Sequence, residues 1–122
     1  MLLQIEERRI EPGLTVVELT GRFALGRESQ RLETIVDDLV KAGRTRAILD
    51  LTGVTYADSA GIGLITLAAG KLKEAGGRLV AVAPEGRVLD MLKMTQINRI
   101  VTTCPTLEEA VNAHGEIPPT LA

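Results

Sequence analysis

The sequence predicts an α/β domain in which an N-terminal β-hairpin leads into alternating helices and strands, giving a mixed, mostly parallel sheet with about four helices. Three observations carry this. Leu3 to Arg9 and Leu14 to Thr20 flank Glu11-Pro12-Gly13, whose Pro and Gly are turn formers, so the chain should open with an antiparallel hairpin. Leu32, Ile35, Val36, Leu39 and Val40 recur at the spacing of one helical face, opposite Arg31, Glu33, Asp37 and Lys41. Finally, Ala47-Ile48-Leu49-Asp50-Leu51 and Leu79-Val80-Ala81-Val82 are short apolar runs suited to interior strands covered on both faces.

The remaining elements follow in order. Gly43 should end the first helix as a C-cap. The second helix, roughly Ala60 to Ala75, closes at Gly76-Gly77, and Ile62, Ile65, Ala69 and Leu72 share the side that packs on the sheet. Pro84 is expected to open a third helix through Met94, with Val88, Leu89 and Leu92 inward and Met91 and Met94 as core or edge packing. Ile100-Val101-Thr102 reads as a last short strand. Thr106-Leu107-Glu108-Glu109 is a capping box for a terminal helix ending near Ala113. Residues 1–114 thus form one domain with right-handed crossovers between parallel strands, and residues 115–122, with two prolines, should fray.

Composition narrows the function classes. At 45% hydrophobic and 25% charged residues, the 122-residue chain reads as globular and long enough to bury a core without staples. Aromatic residues make up 2%, with no Trp, which removes the stacking surfaces of single-strand nucleic acid binders. A net charge of -2 argues against a phosphate-backbone binder as well. The single Cys104 permits no internal disulfide and suits a reducing compartment. No apolar run reaches the ~18 residues of a membrane span, and Met1-Leu2-Leu3-Gln4-Ile5-Glu6-Glu7 lacks the order of a signal peptide, so a cytoplasmic protein without membrane or nucleic acid partners is expected.

The candidate site is Asp58-Ser59-Ala60-Gly61, where an interior strand gives way to the second helix. A hydroxyl there meets free backbone N–H groups and the positive end of the helix dipole, a natural seat for phosphate. The plainer role for Asp58 or Ser59 is that of an N-cap. Gly61 and Gly63 fall in the first helical turn, where each costs roughly 1 kcal/mol relative to alanine, so a packed strand or a bound partner should approach that backbone closely. Leu67 falls opposite the buried side, and with Leu64 beside it and Lys71 one turn on it leaves an apolar patch suited to a partner. Arg22, Arg27 and Arg31 read as a solvated basic face able to meet an anionic partner.

Other chemistries find less support. Gly61-Ile62-Gly63 begins a dinucleotide fingerprint, but its third glycine position is Thr66. The chain order Ser59, Asp90, His114 formally suits a hydrolase triad, although His114 lies by the tail and nothing marks an oxyanion hole. One His and one Cys make no metal-ligand cluster, and no cofactor is expected.

The arrangement resembles the STAS domain, and within it the bacterial anti-sigma-factor antagonists. The resemblance runs from Val16-Val17-Glu18-Leu19-Thr20-Gly21-Arg22-Phe23 to Thr95-Gln96-Ile97-Asn98-Arg99-Ile100-Val101, and its most specific part is Asp50-Leu51-Thr52-Gly53-Val54-Thr55-Tyr56-Ala57-Asp58-Ser59-Ala60-Gly61-Ile62-Gly63. It implies a protein without catalytic chemistry that works by partner switching. The unmodified form would hold an anti-sigma factor with serine kinase activity, so that sigma factor is released. Phosphorylation of Ser59 would dissolve the complex until a serine phosphatase reversed it. The implied contact residues are Gly21, Arg22 and Phe23 after the hairpin, Asp58, Ser59, Ala60, Gly61, Ile62 and Gly63 at the helix start, and Leu64 and Leu67 along it. Ala24 stands where many such proteins carry an acid, which removes any nucleotide or kinase contact that depends on it. Two alternatives are an unphosphorylated STAS scaffold of a stress-signalling or transport-regulating assembly, and a small nucleotide-binding protein using the Gly61 to Gly63 backbone.

Overall fold

The computed structural model describes residues 3–11, 13–24 and 26–115; of the expected frayed tail, residues 115–122, only Gly115 lies among them, and it is helical. Strands β1 (Gln4–Glu11) and β2 (Leu14–Phe23) form the expected antiparallel hairpin, with Gly13 at φ +80 in its turn. Helix α1 (Arg27–Lys41), strand β3 (Arg46–Ala57), helix α2 (Ser59–Glu74) and strand β4 (Arg78–Val82) follow. Helix α3 (Arg87–Met94), a 3-10 turn (Ile97–Arg99), strand β5 (Thr102–Cys104) and helix α4 (Leu107–Gly115) complete the order. The sheet runs β1-β2-β3-β4-β5, antiparallel at its first pair and parallel at the other three.

Apolar residues on both faces of the inner strands explain the layering. Val17, Leu19, Leu49, Leu51, Leu79 and Ala81 pack with Leu32 and Val36 of α1, Ile65 and Leu72 of α2 and Leu92 of α3. Leu14, Val16, Ile48, Val80 and Val82 meet Ala110 and Ala113 of α4 in a second cluster. Helices α1 and α2 both end as their glycines foretold. Gly43 at φ +73 and Gly76 at φ +87 donate to Val40 and Lys73, and the next residues, Arg44 and Gly77, donate to Leu39 and Leu72, the paired bonds of a Schellman cap. Thr106 caps α4 as expected, its hydroxyl oxygen accepting from the Glu109 N–H at 3.2 Å.

Four details depart from the sequence reading. Strand β3 runs on to Ala57 rather than stopping at Leu51; it pairs with β4 only over Arg46–Asp50 and continues beside β2 alone. Helix α3 starts at Arg87 rather than Pro84, because Gly86 at φ +149 breaks any helical path through it. Strand β5 begins two residues late. Gln96 takes a left-handed φ of 60, and the amides of Ile100 and Val101 are spent on the Ile97 carbonyl at 2.8 and 2.9 Å. Met94, expected at the core or its edge, is 83% exposed.

Candidate docking site at the start of helix α2

The parallel order brings the ends of β2 and β3 and the starts of α2 and α3 to one rim of the sheet. Ser59 is the first residue of α2 and is exposed. Asp58 takes the cap itself, Oδ1 accepting the Gly61 N–H at 2.8 Å, while its own N–H donates to the Phe23 carbonyl at 3.2 Å. The Ser59 hydroxyl makes no hydrogen bond to any described residue. It stands at the positive end of α2, relieved of structural duty.

The two first-turn glycines answer to different demands. A methyl on Gly61 would be driven into the Phe23 carbonyl, so the close approach expected there is made by the end of β2. Gly63 is exposed, with open space where a side chain would stand. Gly21, Phe23, Gly61 and Ile62, expected among the contact residues, are buried, and their part is to hold the rim in place. Arg22, Ser59, Gly63 and Leu67 are exposed; Asp58, Ala60 and Leu64 are half-buried. Leu67, 43% exposed, is the surface leucine its helical position predicts. Lys71, one turn further, bridges to Asp37 at 2.8 Å and Glu33 at 3.1 Å, tying α2 to α1 and raising its pKa above the ordinary 10.5.

Sequence reasoning missed part of this surface. Tyr56 is 44% exposed, and the guanidinium of Arg22 lies 4.2 Å over its ring in a cation–π contact. With Ser59, Tyr56 lines a cavity of about 520 Å³ that Arg87, Val88 and Met91 of α3 also line. As the chain's only tyrosine, two residues before Asp58, Tyr56 could have been noticed. Arg87 carried no local signal; the topology alone brings it here.

Two enzymatic arrangements do not assemble. His114 Nε2 meets the Ala47 carbonyl at 2.7 Å near the start of β3, whereas Ser59 follows its end; at about 3.3 Å per strand residue they stand some 30 Å apart, and no triad forms. Gly61, packed on Phe23 with its N–H given to Asp58, is not available to cradle a nucleotide phosphate. Among the described residues, no helix is long and apolar enough to cross a membrane.

The model of the STAS domain family matches residues 7–110. This chain belongs to the STAS domain family. This STAS domain is 30% identical over 77 residues to a protein of Thermotoga neapolitana named as an anti-sigma factor antagonist, a match spanning 63% of this chain and 68% of the relative. Its fold is similar to that of an anti-sigma factor antagonist from Mycobacterium paratuberculosis, with TM-score 0.81 at 20% identity, covering 94% of this chain and 96% of the other. It is likewise similar to the anti-sigma factor antagonist SpoIIAA in its unphosphorylated form, with TM-score 0.75 at 20% identity, covering 93% and 100%. The phosphorylated form of SpoIIAA from Bacillus matches with TM-score 0.67 at 18% identity, covering 90% and 98%.

Proposed function

We propose that this STAS domain is an anti-sigma factor antagonist that performs no chemistry of its own and is switched by phosphorylation of Ser59. Its unmodified form binds an anti-sigma factor with serine kinase activity, in the cytoplasm, so that sigma factor is released; a serine phosphatase acting on the phosphorylated form restores the unmodified one. The observation that carries this is the Ser59 hydroxyl, exposed at the start of α2 and without a hydrogen bond to any described residue, because Asp58 does the capping. A phosphate there adds about -1.5 to -2 charge, which the helix end tolerates within the fold, while beside Asp58 it turns a neutral docking rim anionic. The complex dissolves without unfolding the domain.

The test is to capture the partner with the unmodified protein, identify it by mass spectrometry, and incubate the pair with ATP. One phosphate should appear and peptide mapping should place it on Ser59, with Ser59→Ala unmodified. Label on Thr55 or Thr66 would overturn the assignment.

A further inference from the structure

Ser59, at the start of α2, and Arg87, at the start of α3, line one cavity of about 520 Å³. Arg22, on the same rim, stacks on Tyr56. Arg87 makes no hydrogen bond or ion pair to any described residue, not even to Glu85 two residues before it. Resting on the reading of Ser59 as phosphoacceptor, we propose that Arg87 is the receiver of that phosphate: its guanidinium binds the phosphoryl oxygens in the cavity and draws the group inward.

The local charges explain why a receiver is needed. A phosphate on Ser59 stands next to the Asp58 carboxylate, and Glu85 lines the adjoining cavity, so the group would repel its surroundings unless a cation answered it. Arg87 is the cation on the cavity wall itself, and its planar fork suits two phosphoryl oxygens at once. As the first residue of α3, capped by a glycine with no side chain to offer, Arg87 also adds its charge to the positive end of that helix. Phosphorylation then changes shape as well as charge. The cavity beside Ser59 fills from within, and any partner group seated there is displaced.

The experiment installs phosphoserine at position 59 of the full chain by genetic code expansion and follows its second ionisation by phosphorus NMR. The midpoint should lie higher in Arg87→Gln than in the parent by at least about half a pH unit, and Arg22→Gln should leave it unchanged. A non-specific phosphatase should also remove the phosphate several-fold faster from Arg87→Gln than from the parent. Coincident titrations of parent and Arg87→Gln, or a shift produced by Arg22→Gln alone, would overturn the proposal. No kinase is used, so this outcome is separate from the functional reading: labelling of another residue by the captured kinase would overturn that reading while leaving the measured Arg87 contact in place.

Discussion

Gly61 lies against Phe23 so closely that the carbonyl of the strand residue occupies the space a side chain on the helix residue would need. With the Asp58 N–H bonded to the same carbonyl at 3.2 Å, the end of β2 fixes where α2 begins and hence where Ser59 stands. Gly61→Ala should therefore destabilise the domain. Overpacking costs about 1–3 kcal/mol, and the better helix propensity of alanine returns about 1 kcal/mol at most. Gly63→Ala, which meets open space, should instead stabilise it by up to about 1 kcal/mol. Urea midpoints of the two variants would show the opposite signs; equal effects would mean the glycines are not distinguished by packing.

Charge at position 59 is the second test. Ser59→Asp sets a carboxylate beside Asp58 on the rim and should fold normally, yet bind the captured anti-sigma factor at least tenfold more weakly, a loss of about 1.4 kcal/mol. Ser59→Ala should bind nearly as well as the parent. Calorimetry on both variants decides it: equal affinities would argue that negative charge there is not the switch.

Leu67 tests the extent of the docking face. Leu67→Glu should weaken partner binding while moving stability by less than about 0.5 kcal/mol, because the side chain is 43% exposed. A large fall in the thermal midpoint would show it to be a packing residue.

The link between α1 and α2 should depend on alkaline pH. Hydrogen bonds from Lys71 to Asp37 and then Glu33 raise its pKa, so the stabilisation is fully present below the ordinary 10.5 and is lost as pH rises through the raised value. Lys71→Met should be less stable than the parent at neutral pH, and urea midpoints taken at increasing pH should show the deficit narrowing above 10.5. A deficit independent of pH would assign the effect to the lysine stem's packing.

Local chemistry made much of this legible. Gly13, Gly43 and Gly76 sit at positive φ where a turn and two helix ends needed them, and the 3.6-residue period separated buried Ile62, Ile65 and Leu72 from exposed Leu67. What escaped was set by long-range pairing. The second half of β3, Thr52 to Ala57, lacks an unbroken apolar run because only β2 lies beside it, so its burial comes and goes along the strand. The displaced β5 depends on the left-handed turn at Gln96, which no glycine announced and which leaves Ile100 61% exposed. At the site, the sequence marked Ser59 and its cap but could not separate Phe23, which supports the rim, from Arg22 and Tyr56, which form its surface. Arg87 lies 28 residues beyond Ser59 in the chain, and only the crossover through β4 sets them on one cavity.

Because β3 outruns β4 after Asp50, the stretch that delivers Ser59 is held along one flank by β2 and lies outside the five-stranded part of the sheet. Most of the cohesion of the fold resides in that wider part, while Thr52, Thr55 and Tyr56 face solvent on the projecting ribbon. In the proposed function, recognition and folding thus draw on largely separate sets of residues. Over generations, duplicated copies of such a chain can trade side chains along the ribbon, each acquiring its own partner, while inheriting the same core unaltered.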